Sequence, residues 1–341
     1  LAESVRVAVL GGAGFIGSAV VRELNSRGVR PLVFDLLTYA GRLENLRGAD
    51  YEFVRGDIRG AELHEVLSGF RPEVIINLAA ETHVDRSIYA PQDFVTTNVV
   101  GAVNVLEIAR RLGARLLHVS TDEVFGDSSV YGCADESSPL RPSSPYSASK
   151  ASAEHFVFAY VRTYKVEALI ARPSNNYGPR QHPEKLIPKA IIRTLLGLEV
   201  PLYGSGLQRR DWMYVEDTAR LLVDLALSGE AGRAYNLPGG HTLTNLQVLQ
   251  LIGKFMGREV RVKHVEDRPG HDVEYCMRPS ISYEARPPEV GIADTVRWYL
   301  DNRWWWEPLL GDRFFSNEVP WRAEAQGRRS PRGRGLELLS T

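Results

Sequence analysis

Short β-branched runs punctuate the chain at regular intervals, at residues 5–10, 29–35, 51–57, 72–80, 114–120 and 166–174. Each is bounded by Gly, Pro, Asp or Asn and reads as a strand. Between them, "SAVVRELNSRG" and residues 98–113 and 147–164 repeat apolar positions at helical spacing. Strands alternating with helices predict an α/β chain built on a doubly wound parallel sheet. No internal repeat is visible. Past residue 175 the texture changes: "NNYGPRQHPEKLIP" is rich in Pro, Gly and polar residues, and "RRDWMYVED" mixes aromatics with charge. Residues 176–310 therefore read mainly as a smaller C-terminal substrate-binding domain, with some segments returning to the first. Residues 311–341 lose periodicity, gain Arg, Gly and Ser, and read as a flexible Arg-rich tail.

Composition narrows the function less than the pattern does. The 42 acids nearly cancel the 41 bases, so whole-chain charge gives no footing for nucleic acid. No apolar run reaches the roughly 18 residues that a membrane span needs. Only six of the basic residues are Lys, so a Lys at a motif position carries weight. Cys133 and Cys276 stand alone, without metal or redox spacing, which fits a soluble enzyme in a reducing cytoplasm and gives no metal site. The helices around "VLEIARRL" and "HFVFAYVRTY" carry more apolar surface than one sheet face needs, which predicts a homodimer.

Gly11, Gly14 and Gly17 in "GGAGFIG", with Phe15 and Ile16 between them, join the first strand to the first helix. Glycines there allow a tight turn and close approach of backbone to a pyrophosphate, which the helix N-terminus then favours. Asp35 ends the second strand. Its carboxylate can accept from both ribose hydroxyls and repels a 2′-phosphate, favouring NAD over NADP; Arg42 nearby weakens that preference. Residues 1–175 thus read as a Rossmann-type NAD-binding domain. Asp57, beside Ile58 in "RGDI", either binds the adenine amino group or closes a solvated turn.

Tyr146 and Lys150, in "YSASK", are four apart and share one helical face. A phenol with an ordinary pKa of about 10 is a poor base at neutral pH. A nearby ammonium lowers that value, so the pair can accept a hydroxyl proton while a hydride leaves. Thr121 supplies a second hydroxyl, and Asp122-Glu123 follow it at the C-terminal end of a strand. Two adjacent acids there are either a polar turn or a pair of proton carriers.

These residues resemble the extended short-chain dehydrogenase/reductase family. Within it, "GGAGFIGS", "LTYAGRLENL", "AAETHVDRSI", "VSTDEVFGD", "SPYSASKASAEH", "SNNYGPRQHPEKLIP", "RDWMYVEDTAR" and "DRPGHD" are similar, in order, to the sugar-nucleotide 4,6-dehydratases. The resemblance implies a reaction on dTDP-linked glucose: oxidation at carbon 4 by NAD, loss of water across carbons 5 and 6, and return of the hydride to carbon 6. It makes Asp122 the general acid and Glu123 the general base. It also sets Ala79, Ala80, Asn98 and Ser120 on the cofactor side, Thr82 and His83 in the sugar pocket, and Asn176, Glu184, Lys185 and Arg210 around the diphosphate and sugar. Asn245 and His271 fall at the nucleotide end.

Family members usually continue after "DRPGHDVEY" through a short helix, where "CMRPSISYEARPPEVGIADTV" is shorter. That departure bears on dTDP against UDP. A UDP-sugar dehydratase, 4-epimerase or decarboxylase is the alternative enzyme, and a non-catalytic dinucleotide sensor the alternative class. The sensor has no use for Tyr146, Lys150, Asp122 and Glu123 together.

Overall fold

Strands β1 (Val7–Leu10), β2 (Leu32–Asp35), β3 (Glu52–Arg55), β4 (Val74–Asn77), β5 (Arg115–Val119) and β6 (Ala168–Pro173) form the sheet that the periodicity predicts. A computed structural model describes residues 5–322 of the chain. The strand order is 10-6-5-4-1-2-3, where β10 (Ala234–Leu237) joins from beyond residue 175, and every pairing is parallel. β1, β2 and β4 are buried along their whole length, as strands covered on both faces must be. One face packs against the helices Phe15–Ser26 and Val215–Ser228, the other against Gly101–Leu112 and Pro145–Tyr164. Strand order reverses on either side of β1, and the crevice at the strands' carboxyl ends is where such sheets bind ligands.

The second unit has its own core, built from the helices Leu186–Leu195, Asn245–Met256 and Pro288–Asp301. Two small sheets join it: β7 (Asn175–Tyr177) with β9 (Arg209–Tyr214) and β11 (Thr242–Thr244), and β8 (Val200–Tyr203) with β12 (Val262–Val265). The helix Val215–Ser228 and β10 are the segments that return to the first unit.

Two expectations change. Residues 311–322 are not a tail: Phe315 is buried in the second core, and Trp321 is buried with its ring edge-on to Tyr203. Two aromatics in a polar segment are enough to anchor it. The remainder, 323–341, lies outside the described residues. The cysteines do not stand alone either. Cys133 and Cys276, 143 residues apart, are joined in a disulfide with 4.7 Å between Cα atoms. Sequence spacing could not reveal a pairing made by two distant loops.

Candidate active site

The glycine turn is built as its sequence requires. Gly11 has φ 78°, and a Cβ there would stand 2.6 Å from the Ala79 nitrogen. A Cβ on Gly17 would stand 2.1 Å from the Gly11 carbonyl oxygen. Gly14 caps the first helix without a side-chain bond, which leaves the first N–H groups and the positive dipole end to the cleft. That cleft, of about 530 Å³, is lined by Gly11, Gly14, Phe15, Ile16 and Gly17 at one end. Asp35 accepts from the N–H groups of Ala13 (2.9 Å) and Leu37 (2.8 Å), which fix its carboxylate at the cleft wall. Arg42 is turned away: it donates to the Trp305 carbonyl (3.0 Å) and lies over that ring. Asp57 and Ile58 also line the cleft, and the Arg59 guanidinium grips the Asp57 carboxylate and holds its pKa below the usual range.

Ala79, Ala80 and Ser120 line the same cleft; Asn98 does not. It sits in a π-helical turn, Val95–Val100, and its amide exchanges two bonds with the Glu81 backbone while donating to Ser149. Asn98 therefore clamps the loop after β4 to the Tyr146 helix.

That helix, Pro145–Tyr164, starts where Ser144 and Ser147 cap each other's backbone and Pro145 presets the first turn. Tyr146 and Lys150 both face the cleft. Lys150 donates to the Val119 carbonyl (2.7 Å) at the end of β5 rather than to the phenol, and its burial lowers its pKa to about 8. Burial and the charges of Glu123 and Asp122 push the phenol up, and the neighbouring Thr121 hydroxyl opposes the rise. Thr121 donates to Asp122 (3.1 Å) and accepts from the Glu123 N–H (3.3 Å).

Asp122 and Glu123 occupy one turn of 3-10 helix, Asp122–Phe125, directly after β5. Asp122 is 3 % exposed, and burial together with the Glu123 charge raises its pKa to about 8. Glu123 is also raised by burial, but Arg268, Arg210 and Lys185 oppose the rise. Both carboxyl groups of the doublet are thus raised, and three cations oppose the rise at Glu123.

Thr82, Asn176, Glu184 and Lys185 line the other end of the cleft. Glu184 is raised to about 7 by burial, and Tyr39 donates to it (3.1 Å). Lys185 reaches the Thr82 carbonyl (3.3 Å). His83 lies behind this wall with Nε2 3.4 Å from Glu184, and burial beside four cations keeps it neutral. Arg210, Asn245 and His271 do not line the cleft. Arg210 donates to the Asp272 carbonyl (2.8 Å) and lies 4.3 Å from the Tyr275 ring centre. Asn245 opens the helix Asn245–Met256, and His271 Nδ1 is 2.6 Å from Asp267.

Tyr39, within "LTYAGRLENL", and Arg268, within "DRPGHD", also act on the site, although neither stands out in the sequence. Arg268 is paired with Asp85 (3.1 Å) and is the leading cation acting on Glu123. Their segments carried a signal; their partners lie too far along the chain to be inferred.

The residues present fit a dinucleotide. The glycine cradle has no room for a Cβ at Gly11 or Gly17, and the buried Ser120 Oγ and Asn176 Oδ1 along the cleft have no partner among the described residues. Beyond them stand the two hydroxyls of Thr121 and Tyr146 and the two carboxyl groups of Asp122 and Glu123, groups able to carry protons beside a dinucleotide.

Comparison with known proteins agrees. The family model described as "NAD dependent epimerase/dehydratase family" matches residues 7–237. A probable dTDP-glucose 4,6-dehydratase of Sinorhizobium fredii is 43 % identical, the match covering 92 % of this chain and 98 % of that protein. Among solved structures, dTDP-glucose 4,6-dehydratase from Bacillus anthracis in complex with NAD superposes with a TM-score of 0.83 at 38 % identity, over 90 % of this chain and all of the other. The Streptomyces venezuelae enzyme of the same name, also with NAD bound, gives 0.81 at 44 % identity over 89 % and 99 %.

Proposed function

The chain belongs to the NAD dependent epimerase/dehydratase family, and from that premise we propose that it is a dTDP-glucose 4,6-dehydratase with NAD as its cofactor. The glycine turn, the helix N-terminus and Asp35 hold the dinucleotide. Bound NAD supplies the hydride acceptor for carbon 4 and the hydride returned to carbon 6.

The protein's own groups divide the rest. Tyr146 and Thr121 hold the carbon 4 hydroxyl, and Tyr146 in its phenolate form takes the hydroxyl proton. Once carbon 4 is a ketone, the carbon 5 proton is acidic. Glu123, with Arg268, Arg210 and Lys185 opposing the rise that burial causes, is the group that removes it. Asp122 carries a proton at neutral pH and gives it to the departing carbon 6 hydroxyl. Thr82, Asn176, Glu184 and Lys185 bind the sugar and diphosphate, and Arg210, Asn245 and His271 frame the nucleotide end.

The observation that carries this reading is the placement of Asp122 and Glu123 side by side in the cleft with Thr121 and Tyr146, Asp122 buried. Epimerisation at carbon 4 expels no hydroxide and needs no such acid. Mass spectrometry of products from dTDP-glucose, UDP-glucose and GDP-mannose tests it: dTDP-glucose loses the mass of one water, and a product of unchanged mass overturns the dehydratase reading in favour of epimerisation.

A homodimer is part of the same reading. Val95, Val100 and Phe156 are exposed on neighbouring segments, the π-turn and the Tyr146 helix, which pack side by side. Light scattering that finds only monomer at assay concentration would refute it. The reading also keeps the protein in the cytoplasm; no described helix is long and apolar enough to cross a membrane.

A further inference from the structure

Residues 270–287 contain no helix and no strand beyond isolated backbone bridges at Glu274 and Met277. Yet this strap backs the acid pair from outside the cleft lining. The Asp272 carboxylate accepts from Ser143 and from the Tyr275 hydroxyl (2.7 Å), and its carbonyl accepts from Arg210. The Tyr275 ring lies against the Arg210 guanidinium, and Arg210 acts in turn on Glu123.

The strap's other side is stitched to the loop that follows the acid pair. The N–H groups of Val273 (2.7 Å) and Glu274 (3.3 Å) donate to the Asp127 carboxylate. Cys276 donates to Ser128 (2.9 Å), and Ala134 donates back to the Cys276 carbonyl (3.0 Å). The Cys133–Cys276 disulfide closes this seam covalently. Both cysteines are half-buried, so a small thiol reagent can reach them.

We propose that the Cys133–Cys276 disulfide is a redox-responsive strap that positions Arg210, Asp272 and Tyr275 behind the acid pair of the substrate site. It deepens the dehydratase reading and rests on it for the substrate. The two cysteines are positioning residues. They touch no reacting atom, and they act by keeping a segment without secondary structure ordered before substrate arrives. Exchange with a low-molecular-weight disulfide forms the bond: two electrons leave the cysteine sulfurs, and each thiol proton ends on one of the two small thiols released. A dithiol reverses it. The cofactor end is made by β1, β2 and β4 and contains no strap residue, so it stays out of the response.

Calorimetric titration of the NAD-loaded protein with dTDP tests this, with the small-disulfide-treated form, the dithiol-reduced form, Cys133→Ser and Cys276→Ser in parallel. Reduction is expected to weaken dTDP binding about tenfold, the scale of ordering one or two side chains afresh. Reoxidation restores it, both variants hold the weak state in either condition, and bound NAD is unchanged. With dTDP-glucose, reduction raises KM more than it lowers kcat. A lower melting temperature with unchanged dTDP affinity makes the bond merely structural and overturns the proposal. So do two free thiols after small-disulfide treatment, or no dTDP binding in either form. If dTDP affinity follows the redox state but dTDP-glucose keeps its mass, the dehydratase reading fails while the strap stands.

Discussion

Asp122 is followed directly by Glu123 in one turn, and only Glu123 has three cations acting on it; Asp122 has Arg210, offset by Glu123 itself and by Asp211. Adjacent carboxyl groups thereby sit in unlike electrostatic surroundings. An acid with its pKa raised to about 8 is neutral below that pH and loses its proton as pH rises through it. The elimination step is therefore expected to fall on the alkaline side with an apparent pKa of about 8. Lys150, lowered to about 8, loses its charge in the same window but serves oxidation at carbon 4. Single-turnover absorbance at each pH separates the two steps. An elimination rate that stays flat from pH 7 to 9.5, roughly 1.5 units above that value, would remove Asp122 from the acid role.

Asp122→Asn and Glu123→Gln should each keep bound NAD and oxidation at carbon 4 while slowing elimination by about 10²–10⁴, the usual worth of one positioned proton carrier. Asp122→Asn should also be the more stable protein. In the wild type the folded pKa lies above the unfolded value near 4, so folding takes up a proton between those pH values, and stability falls as pH rises from about 4 to about 8. Asparagine carries no such penalty. Its melting temperature should match the wild type near pH 4 and exceed it by a few degrees at pH 8; equal melting at both would show that Asp122 is no liability to the fold.

Much of this was legible because it is local. The six strands, the glycine turn and the Tyr146–Lys150 spacing depend on neighbours within a few residues, and pattern reports neighbours. What pattern missed was made at long range. Arg42 turns to Trp305 and Arg268 to Asp85, separations of 263 and 183 residues, and the cysteines meet across 143. Asn98 stands where a cofactor ligand was expected, but a π-turn rotates its amide onto the Glu81 backbone. Phe315 and Trp321 anchor a segment whose composition alone speaks for a loose tail.

Glu154 and Arg172 make a pair behind the site at 2.6 Å, exposed by 0 % and 2 % at their side chains. The guanidinium also lies 4.8 Å from the Phe125 ring, at the end of the Asp122 turn. Glu154→Gln leaves a buried guanidinium without its counter-charge, at an expected cost of about 3–5 kcal/mol. Its negative charge also favours the ammonium of Lys150, one helical turn earlier. Removing it should lower the Lys150 pKa further and move the alkaline limb of carbon 4 oxidation to lower pH. Chemical denaturation and the single-turnover pH profile read the two effects separately; a limb that stays in place would confine Glu154 to the fold.

Gly17→Ala tests whether the cradle is as tight as its backbone implies. The added methyl would stand 2.1 Å from the Gly11 carbonyl oxygen and 2.8 Å from the Gly12 Cα, both backbone atoms that no rotamer change can move. The turn must open, and the pyrophosphate site opens with it. The variant should therefore be purified with little NAD and a lower melting temperature, while dTDP binding at the far end of the cleft persists. Gly69→Ala is the matched control: it lies in the helix Glu62–Phe70 with no atom within 4 Å of an added Cβ, so it should leave NAD content alone and be neutral or stabilising by about 0.5–1 kcal/mol. Full NAD occupancy in Gly17→Ala would mean that the turn has slack that the close approach denies.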